Sequence, residues 1–492
     1  KWPDFGLNVN PSSNNNISVE LPIHENTYEK FIFSKQTPFS KKLSQKFPQV
    51  EVYLGKSIKS DKKAFISIIN ERINITILDG ERKMVIINSK NKNIFVLNSN
   101  IKTKKVNKND FGNDLIDNPQ LSKKKSFRDN LTSIGPTPKL KKYRIAILTT
   151  AEWSNYFINL YDANNLNNDS KKAIVLSEIG IAVSALNSVT QRDLGITFEL
   201  VDNTDQLIEF NTVNDGLTNS DKTVLLGQAP QIIHNQIGAE NYDIGHTFYS
   251  TGGGLAYLGV LCSNGKYKAG GVSGGLTGIG FHFVFAHEMG HMMGAPHTYN
   301  NAPGYGAGGN MVETAAGATI MGYGERKERN FYYHAQSLKE MNYVIQNADC
   351  GTVVEDHNNE APYYESTPNK LSFSIPAGTP FSLGENFKIK DNNNIDTELL
   401  YNWDQVDTYQ VTVNPPLNTS LVGPTFISLF PENKQVRYFP DIETILSGET
   451  ENEWEVVPQL TRDLNFTMTV RDNNKNGGSV LQEDFLVKTN YS

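Results

Sequence analysis

Cysteine is nearly absent from this 492-residue chain: there are two, Cys262 and Cys350, and residues 1–150 contain none. No thiolate from that N-terminal stretch can therefore cap a metal ion. No run of apolar residues approaches membrane-spanning length, and no signal peptide stands at the start. The chain opens Lys1-Trp2-Pro3, as expected of a form whose leader has been removed. Excess positive charge is also lacking. Lys and Arg number 46 against 53 Asp and Glu, a net charge of −7, so nothing points to a nucleic-acid partner. Hydrophobic residues at 38% and aromatics at 10% are enough for packed cores, which excludes global disorder. The length suggests about two to four domains.

What the chain does hold is one dense histidine segment. His287-Glu288-Met289-Gly290-His291-Met292-Met293-Gly294-Ala295-Pro296-His297 reads H-E-x-x-H-x-x-G-x-x-H, a long zinc signature. His287 and His291 lie four apart, so on a helix both project from one face and reach the same ion. Glu288, one position round, can take a proton from a water at that ion without being a ligand. Gly294 lets the chain leave the helix sharply, because glycine tolerates the left-handed conformation common at helix ends. His297 folds back as a third nitrogen ligand, leaving a coordination position open. A bare H-E-x-x-H would carry less weight, since helical histidines are commonly solvated or packed. Five fixed positions at these spacings are rarely accidental. Downstream, Met321 in Ala318-Thr319-Ile320-Met321-Gly322-Tyr323 would alone read as ordinary core, but it resembles the methionine turn that accompanies this long signature and makes an apolar floor beneath the histidines. Tyr323 resembles the tyrosine that some enzymes with this signature supply as a movable extra ligand or oxyanion stabiliser; the other reading is a packed wall residue.

Three blocks are visible along the chain. Residues 1–112 hold period-two segments, among them Gln49–Leu54, Ala64–Ile69 and Ile73–Leu78, broken by Asp79-Gly80 and Asn91-Lys92. This is the pattern of an antiparallel β region. Residues 113–140 are polar, with Lys123-Lys124-Lys125 and Pro136-Thr137-Pro138, and read as a linker open to proteolytic nicking. Residues 141–351 alternate strands and helices, an α/β block. Strands are expected at Tyr143–Thr149 and Ile196–Val201, and helices at Lys171–Leu194, at Lys222–Ile237 interrupted by Pro230, and at Phe281–Met292. The Gly252–Val260 stretch, with Gly254, Leu255 and Ala256, is a candidate rim strand that pairs with an extended peptide. His282 is out of phase with His287, and His334 reads as structural. A bond between Cys262 and Cys350 would close a large loop around the active half; the alternative is two buried thiols. Beyond a linker at 352–362, residues 363–492 show strand-like runs that fit a β-sandwich, with Trp403 as core anchor.

These residues resemble the reprolysin-like (adamalysin-type) metzincins, in particular secreted bacterial members with a β-rich propeptide and an immunoglobulin-like C-terminal module. The resemblance implies a multidomain chain: an α/β metzincin catalytic domain flanked by an N-terminal β-rich propeptide and a C-terminal β-sandwich. It also implies a Zn2+ cofactor, with room for Ca2+, protein or peptide substrates, and a secreted or cell-surface location. Zinc would lower the pKa of a water and polarise the scissile carbonyl, while Glu288 accepts the water proton and passes it to the leaving amine. Cys262 and Cys350 fall where adamalysin-type domains join the rim-strand region to the end of the catalytic domain. Thr298 departs from the pattern, which has Asp after the third histidine. The Met321 and Tyr323 arrangement also resembles astacin- and pappalysin-like relatives. With no cysteine in the propeptide, latency must come from a carboxylate, a histidine or steric cover. Asp110-Phe111-Gly112-Asn113-Asp114 is faintly similar to the inhibitory aspartate motif of astacin propeptides, at a different spacing, and steric cover is the preferred reading. The alternative from another class is a zinc-binding, non-catalytic adhesin on the same scaffold.

Overall fold

The computed structural model describes residues 10–11, 17–24, 27–60, 62–69, 72–78, 84–88, 94–98, 114–116, 139–276, 278–300, 309–323, 331–355, 359–366, 371–385, 387–392, 399–409, 416–474 and 477–491. The turns at 79–80 and 91–92, Asp110, the lysine run at 123–125 and the segment 136–138 lie outside them.

The period-two segments of the first block form an eight-stranded antiparallel sheet in which each strand pairs with the next in sequence. Strand Thr27–Gln36 alternates as the pattern requires, burying Phe31 and Phe33. Strand Lys63–Ile69 is buried on both faces. Ile66 and Ile68 pack within the sheet's own core, whereas Phe65 and Ile69 join Phe39, Leu43, Phe47 and Val52 in the core of the following α/β block. The two blocks thus share one hydrophobic interior.

That α/β block is a seven-stranded mixed sheet. Its strands are β1 (Leu115–Ile116), β2 (Lys141–Thr149), β3 (Ile196–Leu200), β4 (Ile244–Tyr249), β5 (Gly253–Tyr257), β6 (Gly271–Gly274) and β7 (Thr352–Val353). The order is β3-β2-β4-β6-β5-β1, with β7 antiparallel to β2. β5 is antiparallel to β6, and β1 is parallel to β5. The expected linker therefore contributes a strand at 115–116. Helices are α1 (Ala151–Leu160), α2 (Asn168–Leu194), α3 (Lys222–Ile237, with Pro230 inside it), α4 (Gly278–Met292) and α5 (Ala335–Gln346). His334 caps α5, its Nδ1 accepting from Gln336 N, as the structural reading of that residue requires.

The 27 residues of α2 are long and apolar enough to cross a membrane by length and composition, yet the whole apolar window is buried inside the fold. The sheet covers one side and the N-terminal strands the other. Gly180 makes this approach possible: a Cβ there would stand 2.6 Å from Phe39 Cζ and 3.0 Å from Val52 Cγ2. Cys262 and Cys350 are disulfide-bonded, with a sequence separation of 88. Closing a loop of that size restricts the unfolded chain by about 4 kcal/mol on the chain-entropy estimate.

The third block is β-rich. A four-stranded sheet runs Ser372–Pro376, Val480–Asn490, Arg462–Arg471, Leu400–Gln405, and two small two-stranded sheets accompany it. Trp403 is buried among Phe439, Phe466, Met468 and Phe485, the anchor expected of it. The block is tied to the α/β domain through buried polar groups. Arg471, fully buried, reaches Asp193 at 2.7 Å, and Asp193 also receives Arg192 at 2.6 Å. Asp404 accepts from Ala335 N at the start of α5, and Lys339 of α5 donates to Asp484 at 2.7 Å.

Candidate active site

α4 places His287 and His291 one turn apart, with their Nε2 atoms 3.1 Å from each other. At Gly294 the backbone turns to φ 109°, and Gly294 N donates back to His291 O. A side chain there would be strained and would meet Val344 Cγ2 at 2.5 Å. The reversal brings His297 Nε2 to 3.1 Å from His291 Nε2 and 3.2 Å from His287 Nε2. His287 Nδ1 lies 2.6 Å from Ile320 O, and His291 Nδ1 lies 2.7 Å from Ala295 O. A carbonyl can only accept, so each Nδ1 carries the proton and each Nε2 lone pair faces the other histidines. Nitrogens about 2.0–2.1 Å from a tetrahedral zinc lie roughly 3.3 Å from one another, so the donor set and its spacing fit that ion.

A fourth ligand atom comes from far away in sequence. Asp114 is fully buried, with Oδ1 2.9 Å from His297 Nε2 and Oδ2 3.5 Å from His287 Nε2. The ligand atoms of Asp114, His287, His291 and His297 all lie within 4.8 Å of one another. Burial alone would raise the Asp114 pKa, but the charges and hydrogen bonds of His297 and His287 outweigh it and hold the carboxyl well below its usual range. Burial, reinforced by neighbouring histidines, pushes His291 well down, and burial also lowers His297. No second group of three or more His, Cys, Asp or Glu ligand atoms converges among the described residues.

Asp114 arrives by strand pairing. Ala256 N donates to Asp114 O at 2.9 Å and Leu258 N to Ile116 O at 3.0 Å, so β1 lies along the free edge of β5. Within the expected rim, Ala256 presents its amide to this segment, and Leu255 packs into the core behind the sheet. Gly254 faces Glu288. Both Glu288 oxygens are buried without a hydrogen-bond partner among the described residues. Burial raises the Glu288 pKa well above the usual value, and the negative charge of Asp114 adds to the shift.

The missing Gly254 side chain is what leaves room for that carboxylate. A Cβ there would stand 2.2 Å from Glu288 Oε1 and 2.5 Å from its Cδ. Gly254→Ala is expected to lower peptide turnover at least about tenfold, since displacing a reacting group by an ångström is costly. Metal content should not change. Peptide hydrolysis measured beside metal analysis checks this, and unchanged turnover would show that Glu288 can swing aside without loss.

Met321 lies under the zinc-signature helix, where a Cβ at Gly290 would meet its Sδ at 2.4 Å. Tyr323 donates to Asp114 Oδ2 at 2.7 Å, and its hydroxyl is 3.1 Å from His297 Nε2. Its ring stacks on Tyr299 at 4.5 Å. It is thus both wall and polar contact. His282 is flanked by the rings of Phe65 and Phe281, away from the cluster. Sequence reasoning missed Glu313, which binds the segments carrying His297 and Met321. It sits in the unpatterned stretch Asn310–Glu313, and no local signal separates it from a solvated glutamate.

Residues 176–298 match the family model described as metallo-peptidase family M12B, reprolysin-like. No curated protein matches the chain. Among solved structures, metalloproteinase-II from Bacteroides fragilis is similar at 14% identity over 68% of this chain and 92% of its own, with a TM-score of 0.37. A chaperone–substrate complex is similar at 12% identity over 56% of this chain and 39% of its own, with a TM-score of 0.28. With TM-scores below 0.5, neither extends the match beyond residues 176–298.

Proposed function

We propose, on the premise that this chain carries a reprolysin-like metzincin zinc-metallopeptidase domain, that it is a secreted endopeptidase made in a latent form. The observation that carries this reading is the Asp114 carboxylate seated on the three histidines, with Leu115–Ile116 paired to β5. What faces Glu288 there is a side-chain carboxylate, not a peptide bond, so the segment fills the site without offering anything to hydrolyse. The basic stretch 123–125, outside the described residues, is the proposed processing region, and a disulfide fits an oxidising, extracellular setting.

His287, His291 and His297 would hold the zinc, with Asp114 as a fourth ligand in the latent form. Bound zinc supplies Lewis acidity toward a water and a carbonyl. The remaining work falls to the chain's own residues. Once β1 leaves, the amides of Ala256 and Leu258 are free to bind an extended peptide by strand addition. Glu288, buried and unpaired among the described residues, accepts the proton of the attacking water and returns it to the leaving nitrogen. Tyr323, released from Asp114, keeps its hydroxyl beside His297, where it can donate to developing negative charge.

A form beginning near Lys139 is expected to bind one zinc and hydrolyse casein or gelatin, with activity lost to a chelator and restored by zinc. The full-length chain should be latent at equal zinc content. A shortened form that binds zinc and cleaves nothing would favour the non-catalytic adhesin instead. Equal activity of the two forms would refute latency.

A further inference from the structure

We propose that Glu313 is the positioning residue of the metal centre: its one buried carboxylate sets both the third histidine and the carbonyl that orients the first. The inference rests on the zinc reading above. Glu313 is fully buried and accepts from four donors: the Thr298 hydroxyl, the Thr319 hydroxyl at 2.6 Å, Ala318 N at 2.8 Å and Thr319 N at 3.2 Å. Its own amide donates to Thr298 O at 2.9 Å, and Thr298 N donates to Met321 O at 3.2 Å. Thr298 directly follows His297. Thr319 directly precedes Ile320, whose carbonyl accepts the hydrogen bond from His287 Nδ1. Two separate loops that must agree within fractions of an ångström are therefore pinned to the same pair of oxygens. The turn wraps tightly enough that a Cβ at Gly317, where φ is 76°, would stand 2.9 Å from Glu313 Oε2.

The chemistry argues for placement over simple stability. All four donors are neutral, so the carboxylate is held by hydrogen bonds in place of a cation, and those directional bonds fix where the two segments lie relative to each other. Outer partners of metal-bound histidines fix ring orientation and raise ligand basicity, and losing one commonly lowers metal affinity about 10–100-fold. A hydroxyl can rotate to accept as well as donate. Glu313→Gln therefore keeps the shape and the two backbone contacts while reversing the polarity toward Thr298 and Thr319.

The test uses the full-length chain. Zinc affinity is read by competition with a chromogenic chelator, and cobalt(II) substituted for zinc reports ligand geometry through its visible spectrum. Glu313→Gln is expected to bind zinc about 10–100-fold more weakly than wild type and to shift the cobalt bands. Thr298→Asp should be worse, with two carboxylates facing each other in a sealed site. The double variant Thr298→Asp/Glu313→Gln returns one carboxylate to the cluster, with the side-chain amide introduced at position 313 donating to it, and should regain most of the affinity. Wild-type affinity and an unchanged cobalt spectrum in Glu313→Gln would overturn the proposal. So would a double variant no better than its worse parent. If wild type itself takes up no zinc, the zinc reading fails instead, and the two failures are told apart by that first measurement. Melting temperatures of the metal-free forms separate placement from folding: a loss of zinc affinity without a matching fall in melting temperature is the expected pattern.

Discussion

Glu288→Gln in the shortened form lowers peptide turnover by at least about a hundredfold while leaving the bound zinc in place, the effect expected for removing a general base. Glutamine has the volume of glutamate, so the pocket left by Gly254 still fits it, and the three histidines lose no contact. What is lost is a site for the proton. Glu288 has no hydrogen-bond partner among the described residues, so among them the fit against Gly254 and the more distant charges of Asp114 and Lys222 are what act on its carboxylate. Burial holds its pKa up, and the adjacent Asp114 charge adds to that shift. Peptide hydrolysis and zinc stoichiometry on the same sample check the prediction. Near-normal turnover with zinc bound would remove Glu288 from the mechanism.

Asp114→Ala in the uncleaved chain is the second large effect. The substitution removes the fourth ligand atom and the acceptor of the Tyr323 hydroxyl, yet leaves the Ala256 and Leu258 amides paired with the same backbone. If the carboxylate is the main lock, uncleaved Asp114→Ala hydrolyses peptide at least about ten times faster than uncleaved wild type, a change equivalent to about 1.4 kcal/mol. Persistent full latency would assign the block to the strand pairing of Leu115–Ile116. A fluorogenic peptide short enough to enter beside the segment gives the readout, with zinc content measured to exclude metal loss.

Much of the fold can be read from residue patterns, and the reasons are physical. The helix expected from Lys171 runs from Asn168 because its apolar residues recur at helical spacing, and the rim strand expected across Gly252–Val260 is β5 at Gly253–Tyr257. The three histidines meet as their spacing requires, since one helical turn and one glycine reversal leave the chain little choice. Long-range partners are not legible in the same way. Asp114 lies in a polar stretch with no periodicity, and its strand exists only because the β5 edge offers unpaired amides. Sequence favours steric cover over a carboxylate contact from Asp110 or Asp114, whereas the structure sets Asp114 beside His297. Glu313 is hidden for the same reason: its four donors come from separate segments that nothing local connects.

The Arg471–Asp193 contact changes what the boundary near residues 352–362 means. Composition shifts there, and a protein engineer would cut there to obtain a minimal enzyme. The cut would take Arg471 from Asp193, leaving it Arg192 and Tyr333 N, and take Asp404 from the start of α5, and it would open to water a junction that is buried in the whole chain. Stripping one member from a buried charge group typically costs about 3–5 kcal/mol, a large part of a domain's whole stability. Asp193 also accepts from Tyr333 N, and Tyr333 donates its hydroxyl to Ala286 O, one residue before His287. The modularity written in the sequence is therefore not interchangeability. The C-terminal block cannot be traded for another β-rich module unless the newcomer brings its own guanidinium to the same spot.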